Sequence, residues 1–205
     1  MGERLQRRSR EDMPEFEHVF ATLEQDQGYV SRSLFMLGRD AGLLTAVGLM
    51  HEAAWYAPTL DPAVRDFAAY AFTMYRRAPY SAAHCALNAE RHGIPRVKVV
   101  SIFAPDSDIY DARERTLLSF CAAAATTPGS VDGAAFAALS VHFDQPALLT
   151  LTALMAMMSF LTTWNAIMGT ALEETPLSYA REVLAPIGWD VGVHALDVRR
   201  EGHQA

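Results

Sequence analysis

Apolar positions along this chain follow helical patterns nearly throughout. Stretches rich in Ala, Leu and Met, with few helix-breaking residues, alternate with short segments that contain Pro, Gly or Asp. They predict helices over residues 43–56, 62–77, 79–92, 110–125 and 132–139, then a long apolar helix after Asp144 and a final helix near 178–184. The fold class that follows is all-α.

Proline, glycine and aspartate mark where the predicted helices begin and end. Asp61 precedes Pro62, which suits an N-cap followed by the first helical position. The next helix restarts at Pro79 and stops at Gly93, since glycine tolerates the backbone conformation that ends a helix. Only residues 97–103, which are rich in β-branched side chains, could form a short strand instead.

Residues 147–172 form an uncharged stretch that raises the question of a membrane span. A spanning helix needs about 20 predominantly apolar residues. This stretch, however, contains several threonines, Ser159 and Asn165, and acidic residues flank it without a basic stop signal. We therefore predict a central buried helix and no membrane partner.

Composition and charge narrow the functional classes. The 205 residues are 51% hydrophobic, which is enough to bury the core of one domain. A formal net charge of −7 leaves no electrostatic footprint for nucleic acid or for an anionic membrane. The basic cluster between Arg4 and Arg10 is expected to be a solvated, flexible terminus.

The two cysteines, Cys85 and Cys121, are far apart in the chain. Such usage favours reduced thiols in a cytoplasmic protein. The sequence contains no Cys-x-x-Cys pair, no Cys/His cluster and no glycine-rich nucleotide motif. We therefore expect neither a metal nor another cofactor.

The most informative window runs from residue 64 to residue 93, where one amphipathic helix ends and the next begins. Ser81, Cys85, Asn88 and His92 are three or four residues apart, so they share one face of the second helix, and His84 lies three residues after Ser81. Polar and titratable groups beside Ala-rich positions are typical of a helix that lines a pocket. A polar face turned to solvent is the alternative.

This window resembles the core motif of the AhpD-like and carboxymuconolactone decarboxylase group. Arg65-Asp66 stands where that group has Arg-Glu, and Ala78-Pro79-Tyr80-Ser81 stands where it has Cys-Pro-Tyr-Cys. His84-Cys85 follows at the place of a frequent His-His pair. The resemblance covers roughly residues 28–175. It implies an AhpD-like helical fold in a single domain.

The differences from the group's motif remove its best-known chemistry. In the group's peroxidases one cysteine attacks the peroxide as a thiolate and a second cysteine resolves the product. Here Ala78 has no thiol, and the hydroxyl of Ser81 is far too weak an acid to replace one. Cys85 could act as a single peroxidatic thiol, although no resolving cysteine is near it in the sequence.

The groups that remain at the motif suit proton transfer. His84 is the natural acid or base, since histidine changes charge near neutral pH. Asp66, one methylene shorter than glutamate, would orient His84 directly or through a water. Tyr80 or Ser81 would donate a hydrogen bond to a developing oxyanion or enolate.

We therefore predict a cofactor-independent lyase or isomerase. Its substrate would be a small carbonyl- or carboxylate-bearing metabolite, as the resemblance to the group's decarboxylase branch implies. Two alternatives stay open: a catalytically inactive binding or structural module, and a single-cysteine peroxidase that uses Cys85.

Further residues are candidates for the wall of a substrate pocket: Cys85, His51, Phe160, Trp164 and Asn165. Ordinary packing or a surface position is the alternative for them. The resemblance also implies a homo-oligomer, which we expect to be a dimer, trimer or hexamer. Residues 1–15 are expected to be flexible, 16–175 to form the helical domain, and 176–205 to pack on the body or on a partner.

Overall fold

The computed structural model of the chain describes residues 3–196. This part contains ten α-helices and no β-strand, which confirms the predicted all-α class. In chain order they are α1 (Glu17–Gln27), α2 (Arg32–Leu37), α3 (Ala41–Trp55), α4 (Pro62–Tyr75), α5 (Pro79–Arg91), α6 (Arg96–Val100), α7 (Ala112–Thr126), α8 (Gly133–Ser140), α9 (Gln145–Met168) and α10 (Glu174–Val183). Residues 1, 2 and 197–205, at the outer ends of the predicted terminal segments, lie outside the described residues.

Aspartate side chains cap five of these helices. Each accepts a hydrogen bond from a backbone N–H in the first turn of α3, α4, α7, α8 or α9: Asp40, Asp61, Asp111, Asp132 and Asp144. A cap of this kind stabilises a helix by about 1 kcal/mol. The predicted starts of these helices are close to the observed ones because the capping signal is local in sequence.

α4 lies at the centre of the fold. Phe67, Tyr70 and Phe72 are at most 1% exposed, and every residue from 65 to 74 is buried. α4 packs against α5, α7 and α9, and α10 packs against α5. Buried alanines on α5 allow it to approach α4 closely. The start of α5, where the motif residues lie, is thus held between the central helix and the C-terminal helix.

Residues 97–103 do not form the strand that their side chains allow. They begin in α6, where the N–H of Ser101 bonds to the carbonyl of Val97 at 3.2 Å. Val99 is fully buried. A strand must pair with a neighbouring strand, and residues 3–196 contain none, so the tertiary context decides the conformation here.

α9 is long and apolar enough, by length and composition, to cross a membrane. However, 50% of its most apolar 18-residue window is buried inside the fold. Leu151, Leu154 and Met157 on this helix are fully buried. This burial is typical of a core helix in a soluble protein, in line with the central helix that the sequence predicts.

The described part of the N-terminal segment lies against the body of the protein and does not extend into solvent as a tail. The N–H of Arg4 bonds to the carbonyl of Met168, and that of Arg8 to the carbonyl of Phe35, both at 3.0 Å. Met13 is fully buried. These contacts hold the basic segment against α2 and the end of α9.

The described part of the C-terminal extension also packs on the body. Leu177, Ala180 and Val183 of α10 are buried. The indole N–H of Trp189 donates to the carbonyl of Pro79 at 3.0 Å. The extension therefore contacts the first residue of α5, next to the motif residues.

Candidate active site

His84 lies on α5, one turn after Tyr80, and both nitrogens of its ring are hydrogen bonded. Nε2 lies 2.7 Å from Oε2 of Glu173, the residue immediately before α10. Nδ1 lies 2.8 Å from the hydroxyl of Tyr29, in the loop between α1 and α2. The imidazole is thus held between a carboxylate and a phenol, which suits a positioned acid or base.

Glu173 is the carboxylate that orients His84. Its Oε1 accepts the hydroxyl of Tyr80 at 2.8 Å and the backbone N–H of Arg32. Burial alone would raise the pKa of this carboxyl. The charge of His84 and these hydrogen bonds outweigh burial, so the pKa of Glu173 lies below its ordinary value. Glu173 is therefore an ionised carboxylate in a buried position.

Tyr29 and Tyr80 extend the pair into a chain of four titratable groups. Burial, reinforced by the charge of Glu173, raises the pKa of both phenols, so both stay protonated near neutral pH. The chain runs Tyr29–His84–Glu173–Tyr80, with successive distances of 2.8, 2.7 and 2.8 Å. Continuous hydrogen bonds of this length allow protons to shift from group to group.

Asp66, which the sequence predicts to orient His84, has other partners. It is fully buried, and Oδ2 lies 2.9 Å from Arg65 and 2.6 Å from Nδ1 of His92. Burial raises the pKa of Asp66 despite these two partners. Because both ring nitrogens of His84 are bonded elsewhere, the orienting role predicted for Asp66 belongs to Glu173. The Asp66 side chain pairs with Arg65 near the start of α4 and with His92 at the end of α5, so it links these two helices.

The two cysteines do not have the surroundings of reactive thiols. Cys85 is 3% exposed and Cys121 is fully buried. Burial raises the pKa of both thiols, and the charge of Asp66 adds to this effect at Cys85. Neither residue lines the cleft described next. Within residues 3–196, no group of three His, Cys, Asp or Glu side chains is placed to hold a metal ion.

A cleft of about 550 Å³ opens beside the first turn of α5. Tyr80 and Ser81 form part of its wall, so the structure brings these two predicted site residues to one cavity. The other wall residues are Tyr75, Arg76, Arg77, Ala78, Pro79, Ala125, Thr126, Thr162, Thr163, Ala166, Ile167 and His194. His84 is not part of the wall, but its ring centroid lies 4.7 Å from that of Tyr80.

His194 is a wall residue that the sequence does not single out. Its Nδ1 lies 2.7 Å from the carbonyl oxygen of Thr170, which can only accept, so Nδ1 carries a proton. Burial lowers the pKa of His194, which keeps the ring neutral near pH 7, with the lone pair on Nε2. Such a histidine is suited to act as a base. No motif surrounds it in the sequence, and packing of the C-terminal extension brings it here.

The remaining predicted pocket residues are not part of the wall of this cleft. His51 stacks on Trp55 with ring centroids 5.3 Å apart, and burial lowers the pKa of His51 to about 4. Phe160 and Trp164 pack against a small apolar cluster from α2 and α3. The amide of Asn165 donates to a carbonyl of its own helix at 2.9 Å. The contacts of these four residues are thus ring stacking, apolar packing and an intrahelical hydrogen bond.

Solved structures share this arrangement of helices. The debrominase Bmp8, as a cysteine-to-alanine variant in complex with 2,3,4-tribromopyrrole, matches with a TM-score of 0.81 and 27% identity, over 89% of this chain and 98% of that chain. The AhpD core of an uncharacterised peroxidase-related protein from Ralstonia eutropha JMP134 matches with a TM-score of 0.76 and 15% identity, over 85% of this chain and 94% of that chain. The chain has the AhpD-like fold.

A further structural neighbour is an uncharacterised peroxidase-related protein from Silicibacter sp. TM1040. It matches with a TM-score of 0.69 and 15% identity, over 78% of this chain and 86% of that chain. No family model and no curated protein matches the sequence. The resemblance based on the residues from Arg65 to Cys85 is thus confirmed by the AhpD-like fold, while the chemistry of this site depends on its own side chains.

Proposed function

We propose that this AhpD-like protein is a cofactor-independent acid/base enzyme acting on a small carbonyl- or carboxylate-bearing metabolite. The reaction class is that of a lyase or isomerase, in which a proton leaves or joins a carbon next to a carbonyl group. The observation that carries the proposal is the chain Tyr29–His84–Glu173–Tyr80, which runs from a half-buried phenol to the wall of the cleft. A buried ionised carboxylate is costly, and a histidine with only a packing role does not need one.

The cleft beside α5 is the substrate site in this proposal. His194 accepts the proton from carbon on Nε2, because its Nδ1–H is fixed on the carbonyl of Thr170. Ser81 donates a hydrogen bond to the developing enolate oxygen, in the first turn of α5, where the helix dipole also favours negative charge. Tyr80 connects this cleft to Glu173 and His84. Tyr80 gives its hydroxyl proton to carbon, and the proton of a protonated His84 ring replaces it through Glu173, which ends as the carboxylate it was before.

Thiol chemistry is not part of the proposal. Reaction with peroxide requires a thiolate, and burial raises the pKa of both cysteines. The position of Cys85, buried and outside the wall of the cleft, argues against a single-cysteine peroxidase.

The likeness to Bmp8 supports a small, compact ligand. The Bmp8 complex contains 2,3,4-tribromopyrrole, a single five-membered ring. A cleft of about 550 Å³ suits a ring of that size carrying a side group. Only the size of the ligand is transferred here, because the sequences are 27% identical.

A catalytically inactive binding module is the second candidate. One observation favours it: Tyr29 and Glu173 occupy both ring nitrogens of His84. A substrate atom could then bond to this ring only by displacing one of them. The two candidates differ in whether the protein exchanges protons at carbon.

Proton exchange at carbon distinguishes the candidates. The protein is incubated in D₂O with a panel of enolisable carboxylic acids and lactones, and NMR follows the loss of each C–H signal. We expect the wild-type protein to accelerate exchange for at least one compound. We expect His84→Gln and His194→Gln each to slow this exchange by about 100-fold, the usual contribution of a general acid or base.

The exposed His18 offers a matched control, since His18→Gln removes an imidazole from the surface of α1 and should keep the wild-type rate. Wild-type rates in both His84→Gln and His194→Gln would contradict the proposal. Exchange of no compound by the wild-type protein would favour the inactive module.

A further inference from the structure

Arg77 has a backbone conformation that is unusual for its residue type. Its φ of 55° lies in the left-handed region, which within residues 3–196 is otherwise occupied only by glycines. The position follows the end of α4, where the N–H of Arg77 bonds to Met74 and that of Ala78 bonds to Thr73, both at 3.0 Å. Glycine is the usual residue at such a helix end, because a side chain is strained there.

Residues with a strained backbone cluster at active sites and ligand-binding sites, so the surroundings of Arg77 are of functional interest. The side chain of Arg77 is exposed and lines the cleft beside α5. In the described part of the chain it forms no hydrogen bond or ion pair. Its guanidinium therefore does not stabilise the fold through a polar contact, and the cleft is where it can meet a ligand.

The neighbouring Arg76 adds to the positive charge of the same wall. Its guanidinium donates to the hydroxyls of Thr162 and Thr163 and to the carbonyl of Ala125, all neutral acceptors, at 3.0 to 3.3 Å. Among the described residues, no Asp or Glu lines the cleft. Two arginines without a carboxylate partner thus face one cavity, in a protein whose net charge is −7.

We propose that Arg77 binds the carboxylate of a compact organic acid in this cleft. A planar guanidinium presents paired N–H donors that match the two oxygens of a carboxylate. Arg76 contributes a fixed positive charge, and Thr126, Ala166 and Ile167 offer an uncharged wall to the rest of the ligand. The ligand class is therefore a monocarboxylate with a small uncharged body. This names the substrate class of the proposed enzyme, and it rests on the proposed function only for the reaction that follows binding.

Arg77→Gly tests the proposal, because it removes the guanidinium and at the same time relieves the backbone. The probes are benzoate and its neutral analogue benzamide, and isothermal titration calorimetry gives each Kd. We expect Arg77→Gly to weaken benzoate binding by about tenfold or more, as for the loss of a charged hydrogen-bond donor, without weakening binding of benzamide. We expect the Tm of this variant to equal or exceed that of the wild-type protein.

Two further variants sharpen the test. Arg77→Lys keeps the charge but loses the paired donors, so its benzoate affinity should lie between those of the wild-type protein and Arg77→Gly. Arg181→Ala removes an equal charge from the exposed face of α10 and should bind benzoate as the wild-type protein does.

Unchanged benzoate binding by Arg77→Gly would overturn the proposal, and so would the absence of benzoate binding by the wild-type protein. A lower Tm for Arg77→Gly would assign the side chain a structural role and would also overturn it. If the wild-type protein binds benzoate through Arg77 while no compound undergoes proton exchange, the proposed reaction fails and the carboxylate site remains.

Discussion

His84 and Glu173 are 89 positions apart in the chain, yet Nε2 of the first lies 2.7 Å from Oε2 of the second. This contact joins α5 to the residue that precedes α10, and the two helices pack against each other. Separating the pair would leave a charged carboxylate in the interior with fewer partners, which is unfavourable. The orientation of the His84 ring and the position of α10 therefore depend on each other.

Glutamine at position 173 should reduce the acid sensitivity of the fold. The pKa of Glu173 in the folded protein lies below the ordinary value of about 4.5. Its charge therefore stabilises the fold above that pH, and the contribution is lost as the pH falls through the folded-state pKa. We expect Glu173→Gln to be less stable than the wild-type protein at neutral pH, with a flatter pH dependence below about pH 5. Urea unfolding between acidic and neutral pH measures the stability of each protein and its dependence on pH.

The adjacent Glu174 supplies the control for that experiment. It is exposed in the first turn of α10, so Glu174→Gln should keep the wild-type dependence of unfolding free energy on pH. Parallel pH profiles for Glu173→Gln and the wild-type protein would contradict the ionised, buried state assigned to Glu173.

Asp66 should matter for stability through Arg65. Asp66→Asn leaves the buried guanidinium of Arg65 without its carboxylate, and breaking a buried pair in this way costs about 3 kcal/mol. Glu24→Gln breaks the exposed pair with Arg10, which solvent screens, and should cost much less than Asp66→Asn. Guanidinium chloride unfolding compares the two. Similar, small losses for both variants would show that Asp66 has no such role.

Cys85 and Cys121 should react slowly in the native protein. Burial raises the pKa of both thiols and keeps reagents away from them. We expect iodoacetamide at neutral pH to modify them only on the time scale of opening or unfolding, and rapidly in urea. The number of free thiols that remain after treatment with hydrogen peroxide shows whether either cysteine reacts with peroxide. Fast, stoichiometric loss of one thiol in the native protein would favour the alternative function, a single-cysteine peroxidase.

The outer faces of α3 and α9 should mediate self-association. These helices contact each other, and Leu49, Met50 and Leu149 on them are 39 to 72% exposed. Exposed apolar side chains on helices with few charges are typical of protein interfaces. We expect sedimentation velocity to show a homo-oligomer that Leu149→Glu dissociates. Val97→Glu, at an exposed apolar residue of α6, should leave the assembly intact. A monomeric wild-type protein would contradict this expectation.

The seven helices that the sequence predicts, α3–α5 and α7–α10, were predictable because their signals are local. Asp61 followed by Pro62 fixes the start of α4 within adjacent residues, and Gly93 ends α5 in the same way, with φ of 95°. Where the conformation of a segment depends on contacts with distant residues, the local sequence pattern does not predict it. The β-branched residues 97–103 suit a strand, but the surrounding part of the chain is helical and gives them no strand to pair with.

The candidate site was predictable only for residues on α5. Ser81 and His84 are found from their spacing on one helix, and Tyr80 from the resemblance of residues 78–81 to the motif of the AhpD-like group. The partner of His84 comes from the segment before α10, and His194 comes from the C-terminal extension. Both contacts join residues that are far apart in the chain, so no local spacing in the sequence indicates them. Asp66 was the natural candidate because it is the nearest acidic residue in the motif, but its short side chain pairs with the adjacent Arg65 instead.

NMR detection of the ring N–H of His84 reports directly whether Glu173 holds this ring. A short hydrogen bond to an ionised carboxylate moves this proton far downfield and slows its exchange with water, and ¹⁵N correlation assigns it to the ring. We predict a protected downfield resonance on Nε2 of His84 that is present in the wild-type protein and in Asp66→Asn but absent from Glu173→Gln. Loss of the resonance in Asp66→Asn, together with its persistence in Glu173→Gln, would contradict the assignment of Glu173 as the partner of His84.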